Sequence, residues 1–295
     1  MNFSKIREHS ALPWFILVLL AFIWGSSFIL IKKGLDAFSP VQVGSIRIVF
    51  AGLCLLPFAL RYLKSYKNYW KKFFLYGMTA NLLPAILFAL AETGISSSLA
   101  GILNSLTPIM TFIIGIIVFH TVIKKGQVIG LMIGFAGSFA LSFINNAGGL
   151  GSFNYFALFV IVATICYGIS ANMVKVSFHK INSVVLTSLA LFFVGPLGFI
   201  YLFSSDFLTR VSSHPDALAS LGYLFLLGAF GTAFALVLFN KLIQITTAVF
   251  ATSVTYLIPV IAVLWGILDG EDFFTLHFLG MLLIVAGVYI INKFK

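Results

Sequence analysis

Charge is scarce in this sequence: Asp, Glu, Lys and Arg make up 9% of its 295 residues, and hydrophobic residues 61%. A soluble domain carries about 25% charged residues. Too little polar surface is left to cover a water-soluble globule, and the mean hydropathy of +1.10 agrees. Carboxylates are rarer still, with eight Asp and Glu in all. Cysteine is nearly absent. Cys54 and Cys166 both lie inside apolar runs, which excludes a disulfide framework and a cysteine-based metal site. There is no HExxH helix, no pair of in-span aspartates and no in-span Ser/His pair with nucleophile-elbow glycines. An intramembrane enzyme is therefore the weaker alternative, and no cofactor or metal is expected. No cytoplasmic segment is long enough for a signalling domain, which disfavours a sensor.

What is present is a series of apolar runs, each close to the 20 or so residues that cross a bilayer. They cover 12–31, 41–60, 73–91, 97–119, 126–144, 153–174, 184–203, 218–239, 247–268 and 276–291. Lys5 and Arg7 ahead of the first run mimic a signal peptide. That run continues to Ile31 without a small-residue cleavage site, so a retained helix is expected.

The basic residues set the orientation. With the N-terminus in the cytoplasm, the inside segments hold Lys5, Arg7, Arg61, Lys64, Lys67, Lys71, Lys72, Lys124, Lys125, Lys175, Lys180, Lys241, Lys293 and Lys295. The outside segments hold Lys32, Lys33 and Arg210. Of the acids, Glu8 alone falls inside; Asp36, Glu92, Asp206, Asp216, Asp269, Glu271 and Asp272 fall outside. Losing one helix would scramble every later loop. Because the basic residues are scattered over several loops, the formal net charge of +10 reads as membrane topology and no nucleic-acid partner is expected.

The chain also repeats itself. Asn104-Ser105-Leu106-Thr107-Pro108-Ile109-Met110 resembles Thr255-Tyr256-Leu257-Ile258-Pro259-Val260-Ile261. Ala100 matches Ala251, Gly115 matches Gly266, and Gly130 and Gly137 match Gly280 and Gly287 after a one-residue gap. Trp24-Gly25-Ser26-Ser27 has a weaker echo in Tyr167-Gly168-Ile169-Ser170. The unit is five spans, at 1–147 and 148–295. An odd number of spans inverts the second copy, an arrangement common among secondary transporters. The expected fold is thus an all-α membrane protein with ten transmembrane helices in two inverted five-helix repeats, N-in and C-in.

The run from Leu20 to Phe28, Arg47, Phe88-Ala89-Leu90 leading to Ser96 and Ala100, and Leu106-Thr107-Pro108 together resemble the EamA repeat of the drug/metabolite transporter superfamily. The second half follows through Leu257-Ile258-Pro259-Val260 and Gly270-Glu271. The first copy departs from the pattern, with Phe119-His120 where the second has Gly270-Glu271, and the second copy has no counterpart of Arg47. The resemblance implies export or exchange of small metabolites, often amino acids, by alternating access in the bacterial inner membrane. It also implies that the first, third, fourth, sixth, eighth and ninth spans contact substrate.

Polar side chains in a bilayer are costly unless they pair or face a cavity. Arg47 lies about 9 Å inside its span at 1.5 Å per residue. One reading is a fork for a substrate carboxylate; the other is snorkelling to the outer headgroups beside Asp36 or Glu92. Asn81, Asn104 and Tyr256 need outside partners and are expected at a binding site, with Ser27, Asn172 and Thr252 as further polar groups. Trp24 and Tyr167 are expected to stack on a substrate ring, with ordinary packing as the alternative. Pro84, Pro108, Pro196 and Pro259 lie within spans, where each removes a backbone donor. Pro108 and Pro259, symmetric in the two copies, are expected to act as gating bends. Gly126, Gly130 and Gly134 read as a helix-packing stripe first and a homodimer face second. No acid or histidine falls mid-span, which predicts a facilitator or exchanger over a proton antiporter.

Overall fold

A computed structural model describes residues 11–95, 97–122, 124–145, 155–268 and 275–294. The predicted outer acids Asp269, Glu271 and Asp272 lie outside these residues, as do Lys5, Arg7, Glu8 and Gly270. The described residues form helices and turns with no strand. In order, the α-helices are α1 Leu12–Gly25, α2 Ser27–Leu35, α3 Pro40–Tyr66, α4 Trp70–Gly77, α5 Leu83–Ala91, α6 Ser97–Asn104, α7 Thr107–Ile117 and α8 Lys125–Asn145. There follow α9 Phe156–Ser177, α10 Ser183–Ser204, α11 Phe207–Ser213, α12 Ala217–Leu226, α13 Ala235–Ile245, α14 Ala248–Thr252, α15 Val254–Leu268 and α16 Thr275–Lys293.

Five helical runs are long and apolar enough to cross a membrane: Leu12–Leu35, Pro40–Ala91, Phe156–Ser177, Ser183–Ser204 and Ala217–Ile245. Pro40–Ala91 has 52 residues, about 78 Å if straight, against a hydrocarbon core of about 30 Å. It folds back on itself at the 3₁₀ turn Lys67–Tyr69, because α3 packs against α5. Shorter apolar helices occupy Thr107–Ile117, Ala248–Ile261 and Leu279–Lys293. Large apolar side chains such as Phe15, Ile117, Ile200 and Phe230 are exposed on the outside of the bundle, as a lipid solvent requires.

Several expected spans are interrupted, and the sequence explains where. Pro108 sits in the first turn of α7, the position where its missing N–H costs least. It therefore starts a new helix after a break at Ser105 and Leu106 instead of kinking a continuous one. Pro259 does lie inside α15. Its missing N–H frees the carbonyl four residues back, that of Thr255, and the Ser105 hydroxyl donates to that oxygen at 3.3 Å. The Ser105 hydroxyl also meets Ser138 at 2.6 Å. The break in the ninth expected span falls at Ser253, ahead of Pro259, where Ser253 Oγ donates to the Phe250 carbonyl at 2.6 Å. Pro57 lies within α3, which runs through it.

Two stretches are π-helical, Met78–Leu82 between α4 and α5 and Leu227–Phe234 between α12 and α13. The first precedes Pro84, whose ring opposes continuation of the tighter ladder. In it the Leu83 N–H reaches back to the Met78 carbonyl.

The glycine stripe of α8 is occupied within the chain. A Cβ at Gly130 would lie 2.7 Å from the Gly287 carbonyl, and one at Gly134 would lie 2.8 Å from the Tyr256 ring. Helices α8 and α16 make the most extensive pairing in the molecule. This is the helix-packing role expected first for the stripe: the small residues let α16 and α15 approach.

Candidate functional site

The helix interruptions surround a cavity. It holds ≈ 890 Å³ of empty space including its open mouth, and α1, α2, α3, α6, α9, α13 and both π-segments contribute to its wall. A mostly apolar wall with a few placed polar groups is the usual form of a small-molecule site. Trp24, Ser27, Arg47, Asn81, Asn104, Tyr167 and Thr252, all expected at a binding site, line it.

Arg47 is held in place from two directions. Ser39 caps α3 in a reciprocal capping box with Gln42, and the fully buried Gln42 donates from Nε2 to Asp206 Oδ1 at 2.8 Å. One turn deeper, Arg47 Nε donates to Thr232 Oγ1 at 2.6 Å. Thr232 in turn donates to the Leu227 carbonyl at 3.1 Å, a five-residue step that the π-helix creates. Arg47 thus points into the bundle, which corrects the snorkelling alternative. Asp36 pairs instead with Lys33 at 3.5 Å. Glu92 and Tyr167 are the electrostatic neighbours of the guanidinium. Among the described residues Arg47 forms no salt bridge, and its terminal nitrogens have no hydrogen-bond partner.

Asn81, on the other π-segment, differs. It is 3% exposed, yet neither its amide nitrogen nor its amide oxygen has a hydrogen-bond partner. A buried, unpaired side-chain amide costs about 1–3 kcal/mol. An α-helix spends its polar side chains on the carbonyl one turn back; Thr79 does so, donating to the Leu75 carbonyl at 2.9 Å. Asn81 makes no such bond and is one of the residues that line the cavity, with its two amide atoms closed off from solvent.

Aromatic rings form much of the remaining wall. Phe88 stacks on Tyr167 with centroids 6.1 Å apart, and Phe28 meets Phe88 edge-on at 6.1 Å. Trp24 meets Phe239 edge-on at 5.1 Å, while its indole N–H donates to the Gly231 carbonyl at 2.9 Å. Trp24 is therefore a structural tie to the π-segment as well as a wall.

Two expected site residues are not at the cavity. Asn172 donates from Nδ2 to the Thr111 carbonyl at 2.8 Å and to the Gly168 carbonyl at 2.9 Å. It joins α9 to α7. Tyr256 is completely buried and donates to the Leu131 carbonyl at 3.2 Å, tying α15 to α8. Each need for an outside partner is met by backbone. Pro108 and Pro259 do not line the cavity either.

Sequence reasoning missed a polar chain at one end of the cavity. Tyr76 OH donates to Asn240 Oδ1 at 2.7 Å, and Asn240 Nδ2 donates to Thr187 Oγ1 at 2.9 Å. Asn240 stands one residue beyond the expected eighth span, so it read as loop. An asparagine at the edge of an apolar run was the available signal.

The model of the EamA-like transporter family matches residues 12–143 and again 154–293. An uncharacterized transporter of Archaeoglobus fulgidus is 29% identical over 284 residues, covering 95% of this chain and 98% of its own. The uncharacterized inner membrane transporter YedA of Escherichia coli is 26% identical over 310 residues, covering 98% and 94%. The uncharacterized transporter YvbV of Bacillus subtilis is 24% identical over 284 residues, covering 94% and 90%. A solved crystal structure superposes over 97% of this chain and 98% of its own with a TM-score of 0.74, at 15% sequence identity. That last likeness is one of fold alone.

Proposed function

The chain belongs to the EamA-like transporter family, and from that premise we propose that it is a secondary transporter moving small metabolites such as amino acids across the bacterial inner membrane by alternating access. The membrane assignment draws on the apolar helices and on the inner-membrane relative YedA. The observation that carries the reading is the cavity between the helices, lined by Arg47, which forms no salt bridge among the described residues, and by Asn81, whose amide is unpaired.

In this reading the molecule is two inverted five-helix repeats, residues 1–147 and 148–295, with ten membrane crossings and both termini in the cytoplasm. Three features support it. The two halves match the family model separately. The offset that pairs Asn104 with Thr255 carries the π-segment Met78–Leu82 into Leu227–Phe234. The packing is also self-consistent under that exchange. The contact of α7 with α9 has its counterpart in α15 with α1, and α5 with α9 in α13 with α1. Helices α3 and α10 pair with each other, as do α8 and α16. Substrate would lie between the repeats, near the axis that relates them.

Transport is proposed as facilitated export or exchange. Among the described residues no Asp or Glu lines the cavity, so a proton carrier of the usual carboxylate kind is not in evidence at the site. The test is exchange in proteoliposomes preloaded with a pool of unlabelled amino acids, with labelled amino acids outside. Entry above empty liposomes, indifferent to an imposed pH gradient, is expected. Gradient-driven entry lost in Glu92→Gln would overturn the uncoupled mechanism. No entry with folded protein would remove amino acids and turn the search to sugars, nucleosides and drugs.

A further inference from the structure

The cavity carries one fixed charge. Arg47 supplies it, with Nε committed to Thr232 and the terminal nitrogens unpartnered among the described residues. A guanidinium fork with two open donors matches a carboxylate in plane and charge. Asn81 adds a second unpartnered polar group, buried to 3% exposure and capable of donating and accepting. The rings of Trp24, Phe28, Phe88 and Tyr167 enclose the rest.

An α-amino acid brings an ammonium as well as a carboxylate. No carboxylate lines this cavity among the described residues to receive it, and Glu92, the acidic neighbour of the Arg47 guanidinium, is not among the lining residues. The Tyr76 and Asn240 side chains, which could serve as neutral acceptors, are already bonded to each other. An ammonium placed beside a carboxylate that Arg47 holds would sit within a few ångströms of a like charge, and such a juxtaposition is penalised.

We infer that the cavity selects organic monocarboxylates with a flat apolar body, carboxylate on Arg47 and a neutral polar group on Asn81, and discriminates against the free α-ammonium of an amino acid. This rests on the proposed transport reading and narrows its substrate class. Asn81 is the wall residue assigned to the neutral polar group, because an amide can both donate and accept.

The experiment uses the purified full-length chain in detergent and three ligands that share a phenylethyl body. 3-Phenylpropanoate has the carboxylate alone, phenylalanine has both groups, and phenethylamine has the amine alone. Equilibrium binding is read by quenching of tryptophan fluorescence or with labelled ligand. Flux is avoided because a protonated monocarboxylate crosses lipid unaided. 3-Phenylpropanoate is expected to bind about tenfold or more tightly than phenylalanine, since a like charge beside Arg47 is removed. Phenethylamine is expected not to bind. In Arg47→Gln the preference between the two carboxylates should fall below about twofold, and Arg47→Lys should keep part of the affinity without the fork. Thermal unfolding of each variant checks that it is folded.

Phenylalanine binding as tightly as 3-phenylpropanoate would overturn the inference and leave the transport reading standing. So would failure of 3-phenylpropanoate to bind while amino acids exchange in proteoliposomes. Absence of both binding and exchange in folded protein would remove both.

Discussion

The two π-segments occupy corresponding places in the two halves of the chain but do different things. In Leu227–Phe234 the polar groups are engaged: the Gly231 carbonyl accepts from Trp24, and Thr232 accepts from Arg47. In Met78–Leu82 the amide of Asn81 is left open. One segment positions the cavity's cation; the other holds an unpaired amide at the cavity wall. A π-segment misaligns backbone and side-chain groups relative to an α-helix, and proteins often place such segments at functional sites. Here the same local device yields an anchor in one half and a recognition group in the other, because the opposing helix brings a partner to only one of them.

The sharpest way to break the comparison is Asn81→Leu. If the amide exists for ligand, ligand binding should weaken about tenfold while the protein becomes more stable by about 1 kcal/mol, since a buried unpaired polar group is removed. Loss of stability in thermal unfolding would show that the amide has a structural role after all. Thr232→Val tests the other segment and should lower stability where Asn81→Leu raises it. Removing one charge-assisted hydrogen bond costs about 1.5–3 kcal/mol, and Arg47 then loses its positioning contact. Unfolding temperature and ligand affinity should fall together. Tyr256→Phe serves as the control outside both segments. It removes the bond to the Leu131 carbonyl, costing about 1 kcal/mol, and binding should stay within about twofold of the original.

The smallest effect is expected at Asp206, the residue ahead of α11. Arg210 donates to its carboxylate at 2.7 Å and Gln42 at 2.8 Å. The Arg210 hydrogen bond is the chief cause; opposed by desolvation and joined by the Gln42 bond, it holds the pKa below the ordinary carboxylate value. A depressed acid stabilises the fold above its unfolded-state pKa, near 3.9, and that contribution is lost as pH falls through the lower folded value. Unfolding temperatures from pH 7 down to pH 3 should lose part of their acid slope in Asp206→Asn.

Much of the architecture was legible because a bilayer permits few solutions. Apolar runs of spanning length, sorted basic residues and the repeat around Pro108 and Pro259 all lie in local sequence. Arg47, Asn81, Trp24 and Tyr167 were found as cavity residues because each is costly or unusual inside an apolar run. Asn172 and Tyr256 looked alike by that criterion, and their partners turned out to be backbone carbonyls on neighbouring helices. The prolines show the same limit. Pro108 and Pro259 hold equivalent places in the repeat, yet one starts a helix and the other rides inside one, with its freed carbonyl capped by Ser105 from another helix.

Sequence by itself determined that this chain lives in a membrane, that it is helical, that its two halves are alike and that a few costly polar groups sit among apolar ones. Burial of backbone polar groups in lipid leaves helices as the local answer, so these properties need no knowledge of neighbours. Tertiary structure decided which polar groups are spent and which remain open. A hydrogen bond depends on where the second group lies, and the partners here are as far apart in sequence as Trp24 and Gly231, or Arg47 and Thr232.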